Sequence, residues 1–444
     1  MLNRLFKLDQ HGTTAGREFQ AGLTTFAAMA YILAVNPGIL ANTGMDKGAL
    51  VTVTAITAAL PTVLMALLTN YPIALAPGMG INAFFTFTIC LGKGLPWSEA
   101  LGMVFVNGLI FLSLSVSGIR EKIIAAIPHS LKIAVTCGIG LFIAFIGLKN
   151  GGVIVSNPAT FVGAGDFSSG SVALCLAGIL LTIILVARKV PGAIVLSIAL
   201  ITLLGLFVPA GAGKVTQLPA SFIALPHSPE PVFLKLTFHF LTSWTAFSVA
   251  MPLIFTLLLV DMFDNIGTLI GVTKRAGLLA ADGTLPRAGR ALLADSLATI
   301  ASALMGTSTV VSYIESASGV EAGGRTGLTS VTTATLFLLA LFFTPLILIV
   351  PAAATAPALV VVGIFMMQSV IEIPMTDFKI AAPAVLTIFA IPLTFSIAEG
   401  IGLGLITAAL LALGLGKPRS FSVVGYIVAA VFFLQFFRIW PFSG

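Results

Sequence analysis

Tyr71-Pro-Ile-Ala-Leu-Ala-Pro77-Gly-Met-Gly80-Ile-Asn82-Ala-Phe-Phe85 is too apolar for a surface loop and too rich in helix breakers for a helix. Pro77 removes a backbone donor, and Gly78 and Gly80 weaken any helix run through them. A second stretch holds the same conflict: Gly306-Thr-Ser-Thr309-Val-Val-Ser312-Tyr-Ile-Glu315-Ser-Ala-Ser-Gly-Val-Glu321-Ala-Gly-Gly-Arg325. Its 309–313 portion is β-branched and strand-like, and the helical stretch after it is too brief to span a bilayer alone. Irregular backbone at membrane depth survives only where protein buries it or where it lines a cavity. Interrupted segments at matching positions in two halves of a chain point to a transporter's binding site.

The rest of the chain shows why membrane depth is at issue. Of 444 residues, 58% are hydrophobic and 9% are charged, with a mean hydropathy of +1.11. Soluble domains carry about 25% charged residues, so a chain this apolar needs a lipid bilayer as its solvent. Span-like runs fall at 19–40, 50–69, 73–91, 98–118, 131–148, 171–187, 191–209, 248–272, 290–306, 309–323, 326–347, 353–370, 380–397 and 399–415. A fifteenth, 421–437, leads to Arg438 and Trp440, residues suited to a headgroup boundary, and reads as an interfacial helix. The two interrupted stretches are the third and tenth runs, which occupy the same place in two halves of seven. An odd number of spans per half makes the halves inverted relative to each other.

The net charge of +6 resides in short loops. With the N-terminus (Arg4, Lys7, Arg17) in the cytoplasm, fourteen spans put Arg120, Lys122, Arg188, Lys189, Lys274, Arg275, Arg287, Arg290, Arg325, Lys379, Lys417 and Arg419 inside as well. The C-terminus then also lies inside, and segment 210–240 falls outside. The polar N-terminus lacks an apolar core with a cleavage site, so the first span is expected to act as the insertion signal. No basic patch interleaves with aromatics, so no nucleic-acid partner is expected. Cys90, Cys137 and Cys175 sit in or beside apolar runs at no metal spacing, and neither a metal nor a cofactor is expected.

Charges inside spans are costly and usually functional. The eighth run holds Asp261 and Asp264 at i and i+3, on one helix face, with no Lys or Arg within a turn. Two carboxylates this close in low dielectric resist ionising together, which makes a shared proton a natural coupling ion. Asp295 lies early in the ninth run, and Glu315 sits at the break of the tenth near a helix start. Asn82 stands at the break of the third beside exposed backbone N–H groups. An amide and carboxylates together suit a flat heterocycle that alternates donors and acceptors. Each has a blander reading: Asp261 or Asp264 as partner of a distant base, Glu315 as a helix cap, Asp295 as a span-end charge, Asn82 as a filler of broken backbone.

Enzyme and ATPase signatures are absent: there is no GxxxxGK(S/T), GxSxG or HExxH. The runs Ala76-Pro-Gly-Met-Gly-Ile-Asn-Ala-Phe-Phe85, Val260-Asp-Met-Phe-Asp-Asn-Ile-Gly-Thr-Leu269 and Tyr313-Ile-Glu-Ser-Ala-Ser-Gly-Val-Glu-Ala-Gly-Gly-Arg-Thr-Gly327, in that order, resemble the nucleobase–cation symporter-2 (nucleobase–ascorbate transporter) family, specifically its AzgA-like branch of purine permeases. The likeness extends over nearly the whole chain. It implies an all-α polytopic membrane protein of fourteen segments in two inverted repeats of seven, with short strands in segments 3 and 10. It also implies core domains at 1–118 (spans 1–4) and 248–347 (spans 8–11), gate domains at 119–247 (spans 5–7) and 348–420 (spans 12–14), and a C-terminal interfacial helix at 421–444. The implied activity is proton-coupled import of adenine, guanine or hypoxanthine through the cytoplasmic (inner) membrane by an elevator-like alternation, in a chain that forms a homodimer through its gate domains. The implied substrate ligands are Asp261, Glu315, Asn82, Gly80 and Ser312, and the implied proton-coupling acids Asp264, Asp261 and Asp295.

Two other classes compete. The same inverted-repeat architecture serves anion carriers, since half-helix N-termini attract anions, but acids in the broken spans oppose an anion site. A channel would show a pore ring repeated across subunits, whereas these acids are unique within the chain; a non-transporting scaffold would need none of them.

Overall fold

The computed structural model describes residues 2–117, 128–211, 213–278 and 285–437; within the long helix of the eighth run, the side chains of residues 263, 264, 266, 267 and 270 lie outside that description. The expected positions of Arg120, Lys122, Arg438 and Trp440, and the side chain of Asp264, therefore fall outside the described residues.

Secondary structure follows the apolar runs closely. The first run is a helix pair, α1 (Ala15–Met29) and α2 (Ile32–Leu40), followed by α3 (Lys47–Thr69). Strand β1 (Leu75–Pro77) leads into α4 (Met79–Gly92), which widens to a π-helix from Phe84. Helices α5 (Trp97–Ser117) and α6 (His129–Asn150) follow. A small hairpin, β2 (Ile154–Asn157) with β3 (Phe161–Ala164), precedes α7 (Gly170–Ala187) and α8 (Ala193–Gly205). The second half runs α9 (Trp244–Arg275), α10 (Ala288–Met305), β4 (Val310–Ser312), α11 (Ser316–Glu321) and α12 (Gly327–Ala340). It closes with α13 (Ala352–Met367), α14 (Phe378–Thr394), α15 (Ile397–Gly414) and α16 (Val423–Phe436).

Polar residues cap the span entries as helix ends require. Asp46 accepts from Ala49 N at 2.7 Å, Ser243 from Ala246 N at 3.2 Å, and Ser396 from Glu399 N at 3.2 Å. Among the described residues, ten helices are long and apolar enough to cross a membrane. The fourteen expected runs exceed that number for two physical reasons. The third and tenth are split by strands. The seventh and thirteenth form helices of 13 and 17 residues, below the roughly 20 that an upright crossing needs. Helix α16, with 14 residues, packs on α15.

The helices pack in two groups. Helix α12 lies against α1 and α3, and α10 against α3 and α5. In the other group, α6 lies against α13 and α14, α7 against α8 and α13, and α14 against α15. The α6–α13 approach depends on glycine: a Cβ on Gly363 would sit 2.4 Å from Gly140 O, and one on Gly140 2.8 Å from Gly363 O. Small residues let helix backbones touch where lipid supplies no hydrophobic drive. The segment after α8 is strapped over the first group, with Leu234 N donating to Leu304 O (2.8 Å), Thr237 N to Ser98 O (2.9 Å) and Thr52 Oγ1 to His227 O (2.9 Å).

The first group is pinned by a residue that stands directly before the first apolar run. Glu18, on α1, has no solvent exposure. Its Oε1 accepts from Arg325 N at 2.9 Å. Its Oε2 accepts from Thr326 N and Oγ1 (3.2 and 2.8 Å) and from Thr329 N and Oγ1 (3.2 and 2.6 Å). A carboxylate from α1 thus caps the N-terminus of α12, where the orphan N–H groups and the helix dipole favour negative charge. Glu18→Ala should cost about 3 kcal/mol, since hydrogen bonds to a charged acceptor contribute roughly 1.5–3 kcal/mol each and the donors would stay buried. Glu18→Gln, which keeps one acceptor oxygen, should cost less. Thermal unfolding of the purified protein in detergent, wild type against both variants, measures the order.

Candidate binding site at the strand crossover

Strands β1 and β4 pair antiparallel, with Leu75 opposite Ser312, Ala76 opposite Val311 and Pro77 opposite Val310. Gly78 N donates to Thr309 O at 2.9 Å, Tyr313 N to Ala74 O at 3.0 Å, and Tyr313 OH to Pro77 O at 2.5 Å. Pro77, which lacks an N–H, stands at the end of the pair, where a missing donor costs least. Every residue of both strands is buried.

The candidate residues divide between the two ends of this pair. At one end, Ser308 Oγ donates to Asn82 Oδ1, so Asn82 ties the first turn of α4 to the loop before β4. Among the described residues its Nδ2 has only a 4.0 Å contact with Met79 Sδ. Gly80 lies against α6: a Cβ there would fall 2.5 Å from Ile139 Cγ2, so the glycine sets the approach of α4 to the second helix group. At the other end are Ser312 and Glu315. Ser312 Oγ is buried and makes no hydrogen bond among the described residues. Glu315 precedes α11 without capping it by its side chain; its Oε1 accepts from Tyr31 OH at 2.6 Å. The ends are separated by three strand residues, about 10 Å.

Asp261 and Asp295 come together behind β4 through a residue that the sequence reading passed over. Asn265 Nδ2 donates to Asp261 Oδ1 at 2.8 Å and to Asp295 Oδ2 at 2.6 Å. Its Oδ1 accepts from Ser312 N at 2.9 Å. The amide orientation follows from chemistry, since a backbone N–H can only donate and must face the oxygen. Asn107 Nδ2 adds a 3.3 Å contact to Asp261 Oδ2. Asp261, Asn265, Asp295 and Asn107 all have no exposure. One amide therefore connects α9, α10 and the strand that carries Ser312. Asn265 was within reach of the sequence, because it stands one turn from Asp261 on the same helix face. Tyr31, 284 residues from Glu315, was not.

A buried polar network of this kind, flanking paired half-segments, is a transporter arrangement. The profile of the xanthine/uracil permease family, described as a permease family, matches residues 16–403. The chain belongs to the nucleobase–cation symporter-2 family. Similar proteins include the guanine/hypoxanthine permease PbuG of Bacillus subtilis, 43% identical over 98% of this chain and 99% of that one. They also include the adenine permease AdeP of Escherichia coli K12, 42% identical over 98% and 96%. These family members are permeases, so the chain is a transporter and not an enzyme. Among solved structures, the transmembrane domain of the cyanobacterial bicarbonate transporter BicA matches with a TM-score of 0.64 at 14% identity, over 87% of this chain and 96% of that one. SLC26A9 matches with a TM-score of 0.63 at 12% identity, over 90% and 65%. At such identities the likeness is one of fold.

Asn265→Ala should weaken ligand binding at least tenfold while the protein still reaches the membrane. It leaves two buried carboxylates without their common donor and frees Ser312 N–H, and about 1.4 kcal/mol corresponds to tenfold in affinity. Calorimetric titration of the purified variant with adenine, guanine and hypoxanthine is the measurement.

Proposed function

We propose that the chain imports a purine nucleobase (adenine, guanine or hypoxanthine) with a proton, by an elevator-like alternation of access. The observation that carries this reading is the Asn265 bridge, which joins the acids Asp261 and Asp295 to the backbone of Ser312, three residues before Glu315. The curated relatives at 40–43% identity named adenine or guanine/hypoxanthine permeases support the cargo. In this reading Glu315 and Asp261 accept from ring N–H groups, while the free Ser312 hydroxyl, the spare Asn82 N–H and the backbone at Gly80 complete the polar lining. The coupling proton resides on the Asp261–Asp295 pair with Asp264 as its exchange partner. No cofactor takes part. The acids at the crossover disfavour the anion alternative, and a shared fold with anion carriers does not transfer their cargo.

The topology assigned to this function has fourteen segments in two inverted repeats of seven. The strand-bearing third and tenth segments and the short α8 and α14 supply the four that helix length alone leaves out. Spans 1–4 (1–118) and 8–11 (248–347) form the core, and spans 5–7 (119–247) and 12–14 (348–420) the gate, in keeping with the two packing groups. Segment 421–444 lies at the cytoplasmic surface, both termini face the cytoplasm of the inner membrane, and two copies associate through their gate domains.

Uptake of labelled purine into cells should fall as external pH rises and collapse with a protonophore; uptake that follows a sodium gradient at fixed pH would remove the proton from the scheme. Glu315→Gln should abolish uptake in a protein that still reaches the membrane, and near-normal uptake would return Glu315 to a structural role. The two aspartates of α9 should differ. Asp261→Asn should lose binding outright. Asp264→Asn should bind but fail to accumulate substrate against a gradient, because an amide cannot release and regain a proton. Calorimetry beside proteoliposome uptake separates these outcomes, and the converse pattern would reverse the two roles.

A further inference from the structure

The two helix groups leave a cavity of about 270 Å³ between them, lined by residues of α2, the start of α3, the end of α6 and the start of α13. Its lining includes Ala34, Asn42, Lys47, Asn150 and Thr355. It does not contain Glu315, Asp261 or Asn82. Ala34 follows Tyr31 by three residues, a rise of about 4.5 Å, and Tyr31 OH is the donor to Glu315. The cavity therefore stands about one helical turn from the crossover site, and in the topology given above it opens outward.

Two of its polar groups, Lys47 and Asn150, lack structural employment. Among the described residues Lys47 makes no ion pair and no side-chain hydrogen bond, and neither does Asn150 make a side-chain hydrogen bond. Helix stability does not explain Lys47 either. It is the first residue of α3, where the helix dipole disfavours a cation, and in this topology it departs from the inward bias of basic residues. Asn42 spends its amide hydrogens on Gly38 O and Ile39 O, both at 2.9 Å, which leaves its Oδ1 as an acceptor. Helix α13 starts beside the cavity with no side-chain cap, so its first N–H groups remain available.

We infer that this cavity is an outer capture site for 6-oxopurines, in which Lys47 and Asn150 read the carbonyl edge. The inference rests on the proposed purine import and extends it. A 6-oxopurine presents two adjacent acceptors, O6 and N7, to a donor-only ammonium and an amide; adenine puts an amino donor in place of O6 and opposes the ammonium. Asn42 Oδ1 offers an acceptor to a ring N–H. The volume of about 270 Å³, just under the usual range of ligand pockets, suits a small planar base. Capture here hands the base to the inner site along α2, and it makes the outer cleft the place where guanine and hypoxanthine are told from adenine.

Competition against labelled purine uptake tests this. Unlabelled hypoxanthine, guanine and adenine are titrated against uptake by wild type, Lys47→Met and Asn150→Leu, with surface expression measured for each. Lys47→Met keeps most of the length of the side chain and removes its charge and donors. The expected result is an approximately tenfold rise in the inhibitory concentrations of hypoxanthine and guanine, with adenine unchanged and the maximal rate retained. Asn150→Leu should shift in the same direction by less. An equal shift for all three bases, as when Lys47 merely holds a lipid phosphate, overturns the assignment, and so does no shift at all. Wild type that competes with adenine but with neither oxopurine overturns it while leaving purine import standing; wild type that moves no purine overturns both.

Discussion

Three residues of strand on each side, Leu75–Pro77 and Val310–Ser312, supply hydrogen bonds that the surrounding apolar medium cannot. A backbone group left unpaired at membrane depth costs several kcal/mol. A chain that interrupts two of its apolar runs must therefore pair the interruptions with each other or with side chains. The antiparallel pair, the Gly78–Thr309 and Tyr313–Ala74 bonds beyond it and the Asn82–Ser308 and Asn265–Ser312 bonds at its margins do this together. Because the two strands lie in different halves of the sequence, the pairing also brings those halves into register.

Once that constraint is met, the site's composition follows from what the strands cannot satisfy. Among the described residues Ser312 Oγ stays without a partner although it is buried, and Glu315 stands at the start of α11 without capping it. Groups held in place yet unsaturated are the raw material of a binding site, since a ligand can supply the missing bonds. Behind the strand, two carboxylates share one amide. A proton added to either carboxylate changes what that amide must donate, and the same amide holds Ser312 N–H. The acids and the strand are thus joined through three hydrogen bonds.

The two helix groups are built by different means. The first is stitched by polar contacts, above all the Glu18 carboxylate inserted at the head of α12, with Asn70 Oδ1 accepting from Gly327 N at 2.9 Å. The second relies on close backbone approach, as at Gly140 and Gly363. The boundary between them carries smaller contacts, such as Gly80 against Ile139 and Thr88 Oγ1 donating to Phe395 O at 2.6 Å, and it holds the cavity beside Lys47.

Several of these features were legible in the residues alone. Low charge and long apolar runs required a membrane, and the helix breakers at Pro77, Gly78 and Gly80 and the β-branched 309–313 stretch marked the two interruptions, because local chemistry is enough to make a helix untenable. Acids inside apolar runs marked Asp261, Asp295 and Glu315, because charge in lipid demands a reason. The number of crossings was less legible, since 13- and 17-residue helices and half-segments have lengths that hydropathy does not resolve. The partners of the acids lay further out of reach. Asn265 is one turn from Asp261, but only the fold shows that Asp295 and Ser312 meet at its amide. Tyr31 lies 284 residues from Glu315, and Glu18 lies more than 300 from the helix it caps. Sequence carries local propensity and the cost of burying a group; which distant group relieves that cost is decided by tertiary packing, because that choice depends on distances and directions that exist only after the chain has closed on itself.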